Sequence, residues 1–397
     1  MAIECELTPD QVAFRDAVRA FAQREITPIV AEMDEREEFP SGTVQKMRTE
    51  GYFGVPVPEE LGGLGLGKVG YCLLVEEIAR VDASHAAILG AHTSLGVTPL
   101  LYYGTDEQKR RWLAPAARGE KLLAFSLTEP GSGSDSGAVH TTATREGDEW
   151  VLNGTKIYVT NGRESDTVLV MAANDPKLGA NGGVTAFLVD KGTPGFSVGR
   201  CEKKMGLHGT STAELVLDHV RVPGDHVVGE VGKGFHVAMT ALDVGRVSLG
   251  AGSLGGMEAA LTAALEFSKN RTQFGLPISE YEAIQFKLAD MAMLAHALRL
   301  LVYNAAAHQD RMGTDPKKWT RLERQSKTRE AAIVKCLASE WGSEVIDEAL
   351  QIHGGLGYIR GTPVERAYRD ARISEIFEGT NEIQRLVVAR DLLSRGL

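Results

Sequence analysis

The chain is poor in cysteine. Its four cysteines, Cys5, Cys72, Cys201 and Cys336, stand far apart with no C-x-x-C pair, which excludes a disulfide framework and a zinc cluster and points to a reducing compartment. It also lacks an excess of basic charge: 43 Lys and Arg against 53 Asp and Glu give a formal net charge of −10. No nucleic-acid partner is expected, because affinity for phosphate backbones comes from clustered cations. No hydrophobic run is clean enough to cross a bilayer. The longest stretch free of Asp, Glu, Lys and Arg, Ala83 to Thr105, contains Ser84, His85, His92, Thr93, Ser94, Pro99 and three glycines, whereas a span needs about 20 predominantly apolar residues. It reads instead as a buried helix pair lining a pocket. The opening, MAIECELTPD, is acidic and unlike a secretory leader or transit peptide. The expected location is cytoplasmic, or the mitochondrial matrix for a processed eukaryotic form. No G-x-S-x-G elbow is present, which removes the support for a serine hydrolase.

What is present is an ordinary globular composition, 43% hydrophobic and 24% charged, in three successive textures. Residues 1–122 carry helical periodicity, with Val12, Phe14, Val18 and Phe21 in one segment and Leu73, Leu74, Ile78 and Val81 in another. Thr8-Pro9-Asp10-Gln11 looks like a capped helix start. Residues 123–232 break into short β-type runs: Leu122–Leu127, Trp150–Leu152, Lys156–Thr160, Thr167–Met171, Val184–Val189 and Leu215–Val222. Turn signals at Asn153-Gly154, Asn161-Gly162 and Asn181-Gly182-Gly183 separate them, a spacing that predicts an antiparallel sandwich or barrel. Residues 233–397 return to helix. Ile284, Leu288, Met291, Ala295, Leu298, Val302 and Ala305 form one apolar seam, the signature of a bundle. A polar break over 312–327 precedes a helix at about 328–350. The fold class expected is α+β and multidomain.

Four segments carry candidate chemistry. Gly250-Ala251-Gly252-Ser253-Leu254-Gly255 has the G-x-G-x-x-G spacing of a dinucleotide site, but the residues before it read as helix, so close helix packing is the better reading. Thr128-Glu129-Pro130-Gly131-Ser132-Gly133-Ser134-Asp135 follows a strand. It either offers backbone N–H groups to a phosphate or ring edge, or is a solvated turn. In Lys156–Gly162, strand alternation puts Tyr158 and Thr160 on one face and Ile157 and Val159 on the other. That face suits a planar cofactor, or belongs to an ordinary half-exposed strand. Asn381 with Gln384 resembles a capping box, so a helix starts at Thr380 or Asn381. Glu378 then either complements the helix dipole or is a part-buried carboxylate able to act as a base.

Together and in order, LTEPGSGSDSG at 127–137, YVTNG at 158–162, LDVGR at 242–246, RTQFG at 271–275, QIHGGLGY at 351–358 and EIFEGTNEIQR at 375–385 resemble the acyl-CoA dehydrogenase family of flavoproteins. The likeness runs end to end and is nearest the short-chain (butyryl-CoA) branch. It implies a helical N-terminal domain, a middle antiparallel β-barrel-like domain and a C-terminal four-helix bundle, with FAD between them and no metal. The flavin would lie against Phe125, Leu127 and Thr128 on one side and Tyr158 and Thr160 on the other, with Gly133 and Ser134 near the pyrophosphate and the CoA moiety. Arg271, Gln273 and Phe274, with Gln351 and Gly355, match contacts to the FAD of a neighbouring subunit, which implies at least a dimer and, in the family, a homotetramer. Thr380 and Glu382 would close over the same cofactor.

Asp243, Arg246 and Gly379 match substrate-binding positions, although Asp243 and Arg246 read alone are a surface i,i+3 ion pair. Glu378 matches the catalytic base. Some members carry the base just before the conserved arginine, where this chain has Gly245. The implied reaction is FAD-dependent α,β-dehydrogenation of a short- to medium-chain acyl-CoA to the trans-2-enoyl-CoA in fatty acid β-oxidation. Electrons would pass to electron-transfer flavoprotein. Alternatives are a branched or carrier-protein-bound acyl thioester, an oxidase, or a non-catalytic relative. The acyl tail would lie near Leu89–Val97 and the 247–255 helix, where Gly90, Gly250 and Gly252 leave room.

Overall fold

The computed structural model describes residues 7–395. Cys5 and the rest of the first six residues lie outside the described residues. The chain runs through helices, then a sheet, then long helices. The first part holds α1 (Pro9–Phe21), α2 (Val30–Arg36), α3 (Ser41–Thr49), α4 (Gly67–Ala79), α5 (Ala83–Leu89), α6 (Thr98–Tyr103), α7 (Asp106–Gln108) and α8 (Ala114–Ala117). α1 starts where the sequence predicts: the Thr8 hydroxyl accepts from the Gln11 N–H at 3.2 Å while the Gln11 side chain accepts from the Thr8 N–H at 3.0 Å. Val18 and Phe21 of α1 and Leu73, Leu74 and Ile78 of α4 share one core. The uncharged stretch is a single helical run, not a helix pair. α5 passes through π-helical turns at Gly90–Val97 directly into α6, and Pro99, with no N–H to give, follows on those widened turns. Among the described residues no helix is long and apolar enough to cross a membrane.

The middle part is a sheet of β1 (Leu123–Ser126), β2 (Thr142–Glu146), β3 (Glu149–Thr160), β4 (Thr167–Ala173), β5 (Val184–Asp190), β6 (Phe196–Cys201), β7 (Thr212–Pro223) and β8 (Val227–Val228). Its order is β6-β7-β3-β2-β4-β5-β8, with β1 added to β4. This corrects the expected antiparallel barrel in two respects. The sheet is open, with β6 and β8 as separate edges, and it is mixed, because β1 runs parallel to β4 with Leu123 opposite Thr167. The long excursion through β2 and β3 lets β1 and β4 point the same way, as parallel neighbours require.

Asn153-Gly154 is not a turn either. It sits inside the continuous β3, where the pairing with β7 slips between Leu152 and Gly154. A Cβ on Gly154 would stand 2.4 Å from the Thr141 hydroxyl oxygen, so this glycine serves a bulge and a close approach. A second slip falls between Lys156 and Val159, with Tyr158 left-handed at φ 58°.

The last part holds α9 (Gly234–Asn270), α10 (Glu282–Met312), α11 (Arg321–His353), α12 (Pro363–Ala371) and α13 (Asn381–Arg395). The glycine fingerprint is helix packing, as the sequence reading held: a Cβ on Gly250 would meet Val334 at 2.4 Å, and one on Gly255 the Glu76 carbonyl at 2.2 Å. Gly250 therefore faces α11 and leaves no room for a ligand, which corrects its use as a cavity-widening residue. α11 begins at Arg321, several residues earlier than expected. Thr320 and Glu323 form a reciprocal capping box, and Trp319 fixes the entry by donating Nε1–H to the Met312 carbonyl at 2.8 Å and packing edge-on to Tyr102.

Candidate active site

A cavity of about 1700 Å³ lies where the three parts meet, larger than the roughly 300–1,000 Å³ of a pocket for one small molecule. Its walls include Phe125, Leu127, Thr128, Gly133 and Ser134 after β1, and Tyr158 and Thr160 of β3. Asp243 and Arg246 of α9 and Glu378, Gly379 and Thr380 before α13 complete the set. Twelve positions scattered over the sequence therefore share one chamber. Ile157 lines it too: the bulge at Tyr158 breaks strand alternation, so the predicted separation of the two faces does not hold there. Tyr158 presents its ring at 61% exposure.

Glu378 is the chemical centre of the chamber. Its backbone is left-handed at φ 56°, and Gly379 follows at φ 90°. Three hydrogen bonds hold this pair: Arg246 Nε donates to the Glu378 carbonyl at 3.1 Å, and Gln384 Nε2 donates to the carbonyls of Glu378 at 3.2 Å and Gly379 at 2.9 Å. Gln384 is thus occupied, and Asn381 instead receives the Lys335 ammonium on Oδ1 at 2.8 Å. α13 starts at Asn381 as expected, but the capping box does not form. The carboxylate passes over Gly245, where a Cβ would stand 2.4 Å from Glu378 Oε2. That oxygen is buried without a hydrogen-bond partner. Burial pushes the Glu378 carboxyl up to about 7, against the opposing pull of Arg246 and Lys335.

The Asp243–Arg246 pair is not on the surface. Both residues are buried, with Arg246 Nη1 to Asp243 Oδ1 at 3.1 Å, and the Thr328 hydroxyl donates to Asp243 Oδ2 at 2.6 Å.

Sequence reasoning missed the device that fixes the 127–129 turn. Lys156, fully buried in β3, donates to the Leu127 carbonyl at 3.1 Å and to Glu129 Oε1 at 2.7 Å, and the N–H groups of His140 and Thr141 complete the Glu129 carboxylate. The available signal was a lysine opening the β-type run Lys156–Thr160. Lys335 and Thr328 were missed because a single polar residue on a long helix looks solvated until its neighbours are known.

Six anticipated residues lie outside the chamber. Arg271, Gln273 and Phe274 sit on the exposed hairpin after α9, Gln351 on the exposed end of α11 and Gly355 in the turn after it, and Glu382 on the outer side of α13.

The chamber joins an exposed aromatic face, a glycine-rich strand end and a buried unpartnered carboxylate, which together define an α+β protein built to act on a molecule held against a flat cofactor. Family models match along the whole chain: acyl-CoA dehydrogenase, N-terminal domain at residues 8–120, middle domain at 124–220 and C-terminal domain at 232–393. The chain belongs to the acyl-CoA dehydrogenase family. It is 45% identical to the mitochondrial short-chain specific acyl-CoA dehydrogenase of Bos taurus, over 98% of this chain and 91% of the relative. The solved butyryl-CoA dehydrogenase of Megasphaera elsdenii superposes with a TM-score of 0.93 at 41% identity, over 98% of this chain and 100% of that one. A chain from the structure of the electron transferring flavoprotein of Acidaminococcus fermentans gives a TM-score of 0.93 at 42% identity, over 98% and 99%.

Proposed function

We propose that this protein removes the α-proton and β-hydrogen of a short- to medium-chain acyl-CoA, giving the trans-2-enoyl-CoA, with Glu378 as base. The observation that carries the reading is the unpartnered Glu378 Oε2, buried over Gly245 and facing the chamber. FAD fits the chamber: the Tyr158 ring and the Thr128 turn offer a flat wall and polar groups at a strand end. When bound, FAD supplies the acceptor for the β-hydrogen, taken as hydride.

The chain's own residues do the rest. Glu378 takes the α-proton onto its carboxylate. Arg246 and Gln384 fix the left-handed turn that aims it. Burial of the Glu378 carboxyl raises its proton affinity, so the carboxylate is a stronger base than an exposed one. Asp243, Arg246, Ser134 and Gly379 are read as substrate contacts, and Phe125, Leu127, Thr128, Gly133, Ser134, Tyr158, Thr160 and Thr380 as cofactor contacts within one subunit. Arg271, Gln273, Phe274, Gln351, Gly355 and Glu382 are read as contacts made across a subunit interface of a homotetramer. The domains run 1–122, 123–232 and 233–397, the last as a four-helix bundle. Electron-transfer flavoprotein is the expected acceptor, in keeping with the chain from Acidaminococcus fermentans, and the expected setting is cytoplasmic.

The direct test is Glu378→Gln. The variant is expected to purify with FAD and to show no flavin bleaching on anaerobic addition of acyl-CoA. Bleaching at the wild-type rate would remove Glu378 from the role. Rapid oxygen consumption during turnover would favour an oxidase instead.

A further inference from the structure

The Glu378 carboxylate is buried at Oε2, and a buried charge needs a counter-charge. Two cations face it, Arg246 from α9 and Lys335 from α11. From α4 the buried Tyr71 phenol faces it too, pushed above its usual range by burial and therefore neutral. Arg246 already has a carboxylate of its own. Its Nη1 meets Asp243 Oδ1 at 3.1 Å, and its Nε is given to the Glu378 backbone carbonyl at 3.1 Å. A cation matched in this way lends little net charge to a second carboxylate.

Lys335 is placed differently. It is 0% exposed, and its ammonium donates to a neutral acceptor, Asn381 Oδ1, at 2.8 Å. The acids around it are matched by other cations. Glu375 pairs with Arg372 at 2.7 Å and accepts from the Ser343 hydroxyl at 2.8 Å. Glu340 pairs with Arg385 at 2.7 Å, and Glu382 is exposed on α13 with Arg385 beside it. Cys336 stays a thiol because burial pushes it up. Burial pulls the Lys335 ammonium down to about 8, and Glu378 is the foremost charge holding it up. Among the described residues, this ammonium and the Glu378 carboxylate are left to each other.

No hydrogen bond joins the ammonium to Oε2. Asn381 takes the ammonium, and Glu378 Oε2 has no partner. Asn381 is itself fixed, its Nδ2 donating to Ser339 Oγ at 2.9 Å and Glu340 Oε1 at 3.2 Å. The arrangement suits a base. A direct hydrogen bond would occupy the oxygen and lower its proton affinity, whereas a nearby charge favours the ionised form and leaves the oxygen free.

We propose that Lys335 is a positioning residue for the reaction: the counter-charge of Glu378, held by Asn381 so that it keeps the carboxylate ionised without taking the oxygen that receives the α-proton. The proposal rests on the reading of Glu378 as base and deepens it by naming what sets that base's charge.

The test is the pH profile of flavin reduction in the holoenzyme. It is read by stopped-flow bleaching with whichever of butyryl- and octanoyl-CoA reduces the wild type faster. Lys335→Met is expected to move the profile at least about one pH unit towards alkali, lowering the rate at about pH 6 roughly tenfold. On the alkaline side the two rates should converge. Lys335→Arg keeps the charge and is expected to restore the wild-type midpoint. A Lys335→Met profile lowered equally at every pH, with its midpoint in place, would make the lysine structural and overturn the proposal. So would a Lys335→Arg profile displaced as far as that of Lys335→Met. Should Lys335→Met not retain flavin, Lys335→Gln, which keeps an N–H donor without the charge, carries the test. The same alkaline displacement is expected, and a profile overlying the wild type overturns the proposal. Bleaching that survives in Glu378→Gln would instead bring down the base assignment, and the counter-charge with it.

Discussion

At the scale of single residues, Glu378 concentrates the cost of the site. A left-handed glutamate costs on the order of 1–3 kcal/mol, and its buried carboxylate lacks a partner on one oxygen. Burial moves its carboxyl from 4.5 to about 7, which has two consequences of opposite sign. A base must be ionised, so the rate of flavin reduction is expected to climb about tenfold per pH unit below 7 and to level off above it, as stopped-flow bleaching would show. A rate independent of pH between 5 and 8 would contradict this.

Stability runs the other way. Between 4.5 and about 7 the folded chain keeps a proton that the unfolded chain releases, so stability falls as pH rises through that window and stays low above it. Glu378→Gln is therefore expected to melt higher than wild type at pH 8 and alike at pH 4, and the gain should be on the order of 1 kcal/mol or more. Gly245→Ala probes the same spot sterically. Its methyl would stand 2.4 Å from Glu378 Oε2, so the carboxylate must swing aside. Misplacement of about 1 Å costs on the order of 10²-fold in kcat, with flavin content unchanged in absorbance spectra.

At the scale of elements, the pair Lys156–Glu129 ties β3 to the turn after β1. Both side chains are buried, at 0% and 3% exposure, and burial pulls the lysine down to about 8 against the pull of Glu129. Lys156→Met leaves the carboxylate with two backbone N–H groups and no cation. Breaking such a pair typically costs ~3–5 kcal/mol, and the turn carrying Thr128 should loosen. The expected outcome is a lower melting temperature and a reduced flavin-to-protein absorbance ratio; full flavin content would mean that the turn holds without the lysine.

Lys156 also shows where sequence reasoning stops. α1 and α10 were legible because caps and apolar seams are local signals. β2 and β6, mostly exposed, carry no hydrophobic alternation to betray them, and Asn153-Gly154 looked like a turn because a bulge uses the same residue types. Glu378 could be found from its motif and Gln384 lies six residues beyond it, whereas Thr328 and Lys335, which face the same site, are defined only by helices meeting across more than forty residues of chain. Whether the sheet closes is decided by its edges, and no single segment encodes that.

At the scale of the whole molecule, the chamber is well formed yet six family positions point away from it. The surface around them is unusually apolar. Phe274 is 95% exposed, and Leu276, Phe286 and Met293 stand out along the neighbouring hairpin and α10, with Leu356, Tyr358 and Ile359 beyond the end of α11. Soluble monomers rarely expose large apolar patches, and covering such residues stabilises association by roughly 25 cal/mol per Å². A second copy of this chain suits the role, because a symmetric contact would bring one subunit's Arg271–Phe274 hairpin to another subunit's cofactor. Assembly and flavin retention should then be linked: each stabilises the other through the same contacts. Phe274→Asp puts a charge at the centre of that surface. Light scattering is expected to show a species smaller than the wild-type assembly, and dialysis to show flavin lost at least tenfold more readily. A variant that dissociates yet keeps its flavin would separate the two, leaving the cofactor held by the walls of a single chamber. A variant unchanged in both would place the subunit contact elsewhere on the molecule.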